Sequence, residues 1–154
     1  MKKLVLALIV AISFSSISNA QSFVEEVDFF QSVFGMEKKA IIQNYLNVDT
    51  NSEFWDIYND YEAQRKELGQ ERLELLVNYA NTLASYNDDK ADFLIKHNNK
   101  LSKKLDKLIY KYYKRVKRTN GSKLASQFYQ AEHFFLGEIR SAAFSTLPII
   151  GEFN

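Results

Sequence analysis

Apolar and aromatic residues return every three or four positions along most of this chain. The clearest run is Phe54, Tyr58, Tyr61, Arg65, Leu68, Arg72, Leu75, Tyr79, Leu83 and Tyr86. Residues three and four apart share one face of a helix, so this run reads as a seam of coiled-coil type. A first helix is expected over about 22–47, carrying Phe23, Val27, Phe30, Phe34, Ile41 and Tyr45, with Gly35 as a point where it breaks in two. A second is expected over about 51–86, opened by a capping box in which Thr50 takes the Glu53 amide proton and Glu53 reaches back. Asn87-Asp88-Asp89 marks the next turn and N-cap. The third helix, about 88–118, then repeats the pattern with Leu94, Asn98, Leu101, Leu105, Leu108 and Tyr112. Thr119-Asn120-Gly121-Ser122 breaks it. The fourth, about 122–146, uses Leu124, Phe128, Ala131, Phe135, Ile139 and Ala142. Pro148 ends it, because the residue before a proline avoids helical backbone.

Strand-type alternation is absent, so the fold class is all-α: an elongated four-helix, hairpin-type bundle. A second helix of about 36 residues would be roughly 54 Å long, against a radius of gyration of about 14 Å for a compact chain of this size. Either it kinks, with Gly69 as the candidate, or the molecule is long and thin. The residues expected on the buried seam are Phe54, Trp55, Tyr58, Tyr61, Leu75, Tyr79, Leu101, Leu105, Leu108, Phe128 and Phe135. Phe54, Tyr58 and Tyr61 should form the joint between the second helix and its neighbours, with the acids and bases between them mostly in solvent. A thin layer hides fewer aromatic rings than this chain carries, which points to a homodimer or a ligand over the excess.

The first twenty residues stand apart. Lys2 and Lys3 precede an apolar stretch from Leu4 to Phe14, and Ser18 and Ala20 place small residues at a signal-peptidase site. The apolar stretch is too short to span a bilayer. The expectation is a Sec-type signal peptide over 1–20, cleaved after Ala20, and one all-α domain over 21–154, exported to the periplasm. The chain has no cysteine, so no lipid anchor through a thiol and no disulfide is available and packing alone must supply stability. Without Lys2 and Lys3 the bases fall to 18 against 19 acids, a net charge of −1.

Few residues suggest chemistry. His97 and His133 are the only histidines, with no ligand spacing between them, so neither a metal nor any other cofactor is expected. There is no glycine-rich phosphate loop and no nucleophile motif, so the chain does not read as an enzyme, and no catalytic residue is assigned. Asp56, Asp60 and Glu67 read as a solvated acidic face.

Charge layout is the stronger signal. Residues 21–74 carry twelve acids and five bases, whereas residues 96–123 carry eleven bases and one acid, Asp106. Lys96, Lys100, Lys103, Lys107, Lys111, Lys114 and Arg118 step by four and three, forming a stripe turned away from the apolar seam of the same helix. Like charges at this spacing oppose the isolated helix, so the acidic helix, a second subunit or an anionic partner should compensate. Tyr110 and Tyr113 flank the stripe. Bases interleaved with aromatic rings can bind single-stranded nucleic acid, but an exported protein meets unfolded polypeptide or lipid headgroups instead, and no nucleic-acid partner is expected. The candidate client- or partner-binding set is therefore Lys96, Lys100, Lys103, Lys107, Tyr110, Lys111, Tyr113, Lys114 and Arg118.

Several stretches resemble the Spy/CpxP-like, or LTxxQ-type, family of periplasmic helical proteins, in its Bacteroidetes-type variant. EKKAII at 37–42 is similar to the end of that family's first helix, and FWDIYNDYEAQR at 54–65 resembles the opening of its second. DDKADFLIK at 88–96 resembles the third-helix start, FYQAE at 128–132 the opening of the last helix, and LPII at 147–150 the usual ending. A literal LTxxQ is absent; VDTNS at 48–52 and NGSKL at 120–124 stand near its places. The resemblance implies a homodimer with a curved helical cradle. Members of that family are ATP-independent chaperones, envelope-stress adaptors that bind a sensor protein, or metal-linked sensors, and the resemblance does not choose among them. The expected function is a chaperone or stress adaptor that binds unfolded or membrane-associated polypeptide or a sensor protein. The alternatives it leaves open are a sensor or anti-sigma-type signalling partner without chaperone activity, and a metal-linked sensor.

Overall fold

The structure is a computed structural model and describes residues 34–82 and 87–146. The expected signal segment 1–20, the start of the first helix with Phe23, Val27 and Phe30, and Pro148 with the LPII ending lie outside the described residues. So do Leu83, Tyr86 and the side chain of Ala142.

The described residues form four helices and no strand: α1 (34–46), α2 (Phe54–Thr82), α3 (Asp88–Asn120) and α4 (Ser122–Thr146). The bundle is all-α. Salt bridges fix its topology. Glu71 pairs with Lys104, and Asp60 with Arg115, so each step down α2 is matched by an equal step up α3, and the two run antiparallel. Gly121 alone joins α3 to α4. Its φ of +86° suits a residue without Cβ, and its amide donates to the Lys117 carbonyl to finish α3. α3 packs against both α2 and α4 and is the central helix.

Local chemistry sets the helix ends. Asn87 caps α3, its side chain accepting the Lys90 amide at 2.9 Å, with Asp88 and Asp89 in the first turn and Lys117 and Arg118 in the last. That charge order suits the helix dipole. α1 closes at Asn47, a residue that tolerates its φ of +49°. The expected capping box at Thr50 and Glu53 does not form. The Asp49 side chain takes the Asn51 amide, and its carbonyl takes the Ser52 amide and the Trp55 indole N–H. The turn thus persists to Glu53, and α2 starts at Phe54, whose amide donates to Ser52 Oγ at 3.3 Å.

α2 runs unbroken through Gly69, so length is accommodated by elongation: α3, with 33 residues, is about 50 Å long at 1.5 Å per residue. Gly35 is the second residue of α1, so the expected break of the first helix there borders on residues outside those described. The core lies where all four helices meet. Phe54, Tyr58, Tyr61, Ile109, Tyr112, Val116 and Phe128 are almost fully buried there, with Trp55, Leu105 and Leu108 at its edge. Phe128 is the hub: its ring makes edge contacts with Phe54, Tyr58 and Tyr61. Towards the far end of the α2–α3 hairpin, Leu94 and Leu101 remain buried, but Leu75 and Tyr79 are only half-buried, as is Phe135 on α4. Among the described residues fewer helices lie over that end, so the same apolar seam is less covered.

α1 departs from its expected register. Its interior residues are Lys38, Ile42 and Leu46, while Tyr45 is 57% exposed and Ile41 half-buried. A lysine occupies an inward position, which turns the buried stripe one residue away from the one the apolar pattern implies. No helix among the described residues is long and apolar enough to cross a membrane.

Candidate functional site

The nine residues of the candidate set fall on the outer side of α3. Lys96, Lys100, Lys103, Lys107, Lys111, Lys114 and Arg118 are all exposed. The helix places them there because Leu101, Leu105, Leu108, Ile109, Tyr112 and Val116 claim the opposite face. The acidic helix meets only the flank of this helix: Glu71 and Asp60 bind Lys104 and Arg115, which are not stripe members. Within the stripe, Lys96 reaches Asp92 at 3.7 Å, with both side chains in solvent, and Lys111 donates to the neutral Gln64 amide oxygen at 3.1 Å. Lys100, Lys103, Lys107, Lys114 and Arg118 make no ion pair among the described residues.

Rings continue this surface onto α4. Tyr110 is 54% exposed and stacks on half-buried Tyr113 at 5.8 Å, with 13° between the planes. Tyr113 meets Tyr129 edge-on, and Tyr129 lies 4.3 Å from His133. The Lys114 ammonium sits 4.9 Å from the Tyr110 ring centre. The four rings form a ladder from the basic stripe across the α3–α4 groove. The α4 half of it, Tyr129 and His133, was not assigned from sequence. Its signal is the i, i+4 spacing of two rings opposite Tyr113 once α3 and α4 are folded back at Gly121.

Beside the stripe, Glu53 in the turn before α2 and Asp56, Asp60, Glu67, Glu71 and Glu74 on α2 face solvent. An open groove of about 440 Å³ separates the two charge zones at one end, lined by Glu53, Asp56, Ile57, Arg115, Arg118 and Thr119. A second, of about 230 Å³, lies where Glu71, Leu75 and Asn78 of α2 face Phe93, His97 and Leu101 of α3. His97 donates from Nδ1 to the Phe93 carbonyl at 2.8 Å. Among the described residues no three His, Asp or Glu side chains come together as a metal site.

The acids and bases of the 54–65 segment are not all in solvent. Glu62 and Arg65 turn inward and join a buried polar cluster. Lys38 Nζ lies 2.7 Å from Glu62 Oε1 and 2.6 Å from Glu132 Oε2. Tyr61 donates its hydroxyl proton to the same Glu132 oxygen at 2.6 Å, and Arg65 Nε donates to both Glu62 oxygens. The rings of Tyr58, Tyr61 and Phe135 surround the Lys38 ammonium at 5.1–5.7 Å. With all four ions charged the cluster is neutral, which is the condition for keeping charges in a core.

The two carboxylates are tuned in opposite directions. Burial alone would raise Glu62, but Lys38 and Arg65 outweigh it and hold its carboxyl below the usual range. Glu132 is 2% exposed; there burial dominates Lys38, and its carboxyl is raised. Its Oε1 and the Tyr58 hydroxyl are buried with no hydrogen-bond partner among the described residues. Burial, then the nearby carboxylates, also push the Tyr58 and Tyr61 phenols far above their ordinary value, so both stay protonated. The cluster fixes α1 onto α2 and α4.

No protein-family model, curated protein or solved structure matches this chain.

Proposed function

We propose that this chain is an exported, non-catalytic binding protein that works as an ATP-independent chaperone or envelope-stress adaptor, as a homodimer in the periplasm. Its partner is unfolded or membrane-associated polypeptide, held on the outer side of α3. One observation supports the reading: among the described residues, five cations of the stripe have no acidic partner, and they stand next to a ladder of rings that includes exposed Tyr110. Unpaired surface charge gives fast, unspecific encounter, and the rings supply contact area once a chain arrives. The resemblance to the Spy/CpxP-like family supports the same reading.

Suppression of aggregation of an unrelated unfolding protein, without ATP, tests it. Suppression should weaken as salt shortens the Debye length from about 10 Å at 0.1 M to about 3 Å at 1 M. Reversing Lys103, Lys107 and Lys111 to glutamate should abolish the salt-sensitive part at unchanged helix content. No suppression at equimolar protein in low salt, or full suppression by the reversed variant, rejects the chaperone reading in favour of a signalling partner.

A further inference from the structure

Glu71–Lys104 and Asp60–Arg115 are spaced eleven positions apart on each helix, so they report one register along antiparallel α2 and α3. One turn further on, that register sets Asp56 opposite Thr119 and Ile57 opposite Arg118. An acid meets a hydroxyl and a base meets an aliphatic side chain, and the succession of ion pairs stops. There the two helices border the groove of about 440 Å³. That volume falls in the range of about 300–1,000 Å³ found for small-molecule sites.

The groove carries both signs of charge. Glu53 and Asp56 bring two carboxylates from the start of α2, and Arg115 and Arg118 bring two guanidinia from the end of α3. Nearly buried Ile57 adds an apolar side chain and Thr119 a hydroxyl. Helix dipoles account for an acid at the start of α2 and a base at the end of α3. They do not account for four charges bordering one open space while Glu53, Asp56 and Arg118 make no ion pair among the described residues. Arg115 is the fixed member. Its Nη2 donates to Asp60 Oδ2 at 3.0 Å, and its guanidinium carbon lies 4.9 Å from the Tyr112 ring centre. Its other N–H donors have no protein acceptor among the described residues.

We propose that this groove binds a small zwitterion that carries an ammonium and a carboxylate, the chemistry of a free α-amino acid or a short peptide. A lone anion is drawn to the two arginines and repelled by Glu53 and Asp56, and a lone cation meets the reverse. A zwitterion gains on both sides. A guanidinium takes a carboxylate through paired N–H donors, and the two acids accept from the ammonium. The groove shares only Arg118 with the polypeptide-binding stripe and is a separate site.

The test is titration of the full chain, followed by amide NMR shifts, with dialanine, N-acetyl-dialanine, dialanine amide and alanine at matched ionic strength and neutral pH. Dialanine should shift the amides of 53–57 and 115–119 in a saturable way. The acetylated anion and the amide cation should each bind about tenfold more weakly, because each faces a pair of like charges. Alanine binding as well as dialanine assigns a free amino acid, and alanine failing to bind assigns a peptide. Asp56→Asn should weaken dialanine and strengthen N-acetyl-dialanine, whereas Arg118→Gln should weaken dialanine and strengthen the amide. A folding defect does not produce that crossed response. Lys123→Gln, which removes one positive charge from the exposed surface of α4, should change none of them. No saturable shift with dialanine overturns the proposal. So does equal binding of dialanine and its two singly charged forms, or a dialanine affinity unchanged in both Asp56→Asn and Arg118→Gln.

Discussion

Lys38 Nζ sits 2.6 Å from Glu132 Oε2, although 94 residues separate the two in the chain. The contact ties α1 to α4 through the interior, with Tyr61 sharing the same oxygen. Removing one partner of such a pair leaves a buried charge without compensation. Lys38→Met should therefore cost about 3–5 kcal/mol. Glu132→Gln, which keeps an acceptor for Tyr61 and leaves Lys38 paired with Glu62, should cost less than half of that. Urea unfolding at pH 7 measures both, and equal losses would show that the charge of Glu132 matters as much as that of Lys38.

The opposite tuning of Glu62 and Glu132 makes stability depend on pH in two limbs. Glu132 is raised on folding, so the native state holds its proton more tightly than the unfolded chain. Its contribution grows as pH falls from the folded value towards the ordinary carboxylate value of 4.5. Glu62 is lowered on folding, so the stability it provides is present above 4.5 and is lost as pH falls through its folded value. Denaturant midpoints from pH 8 to 3 should show Glu132→Gln without the rising limb and Glu62→Gln without the final acid loss. Superimposable profiles of wild type and Glu132→Gln above pH 4.5 would remove Glu132 from the account.

Leu101 and Leu105 are both buried on the seam of α3. Alanine at either should cost about 2–5 kcal/mol, from lost transfer energy and the cavity left behind. Leu75→Ala, at a half-buried position, should cost less than either. A loss below about half a kcal/mol at both 101 and 105 contradicts a packed seam at that level.

Sedimentation at micromolar concentration should give twice the mass of the chain. The expectation rests on the exposed rings of Tyr45, Phe93 and Phe134, more apolar surface than one thin bundle covers. A monomer across that range rejects the homodimer and leaves these rings as single-chain surface.

The parts of the fold legible in the sequence are those governed by local rules. The α3 limits follow from Asn87 and Gly121, and its seam from a strict separation of leucines and lysines. The first helix was misread by one residue because its interior position is a lysine. Hydropathy assigns Lys38 to water, and only the distant Glu62 and Glu132 make an inward turn affordable. Glu132 lies in FYQAE, where periodicity singles out only Phe128 and Ala131. Periodicity reports which residues share a face. It carries no information on two charges that cancel across 94 residues. The stripe itself was legible, because exposed lysines at helical spacing need no partner to be placed. The α4 rings that extend it depend on a helix-to-helix register that one chain segment does not encode.

Trp55 is the only tryptophan in the chain, and its position makes it a spectroscopic probe of one joint. Its indole is nearly buried, donates to the Asp49 carbonyl at 2.9 Å and has the Lys39 ammonium 5.3 Å from its ring. Both contacts belong to α1 or to the turn that follows it. Lifting α1 from the bundle would strip the indole of its hydrogen bond and its cation together, while the α2–α3 hairpin stayed helical. Emission wavelength and circular dichroism would then part company during unfolding. The gap between the two curves measures how independently the first helix leaves.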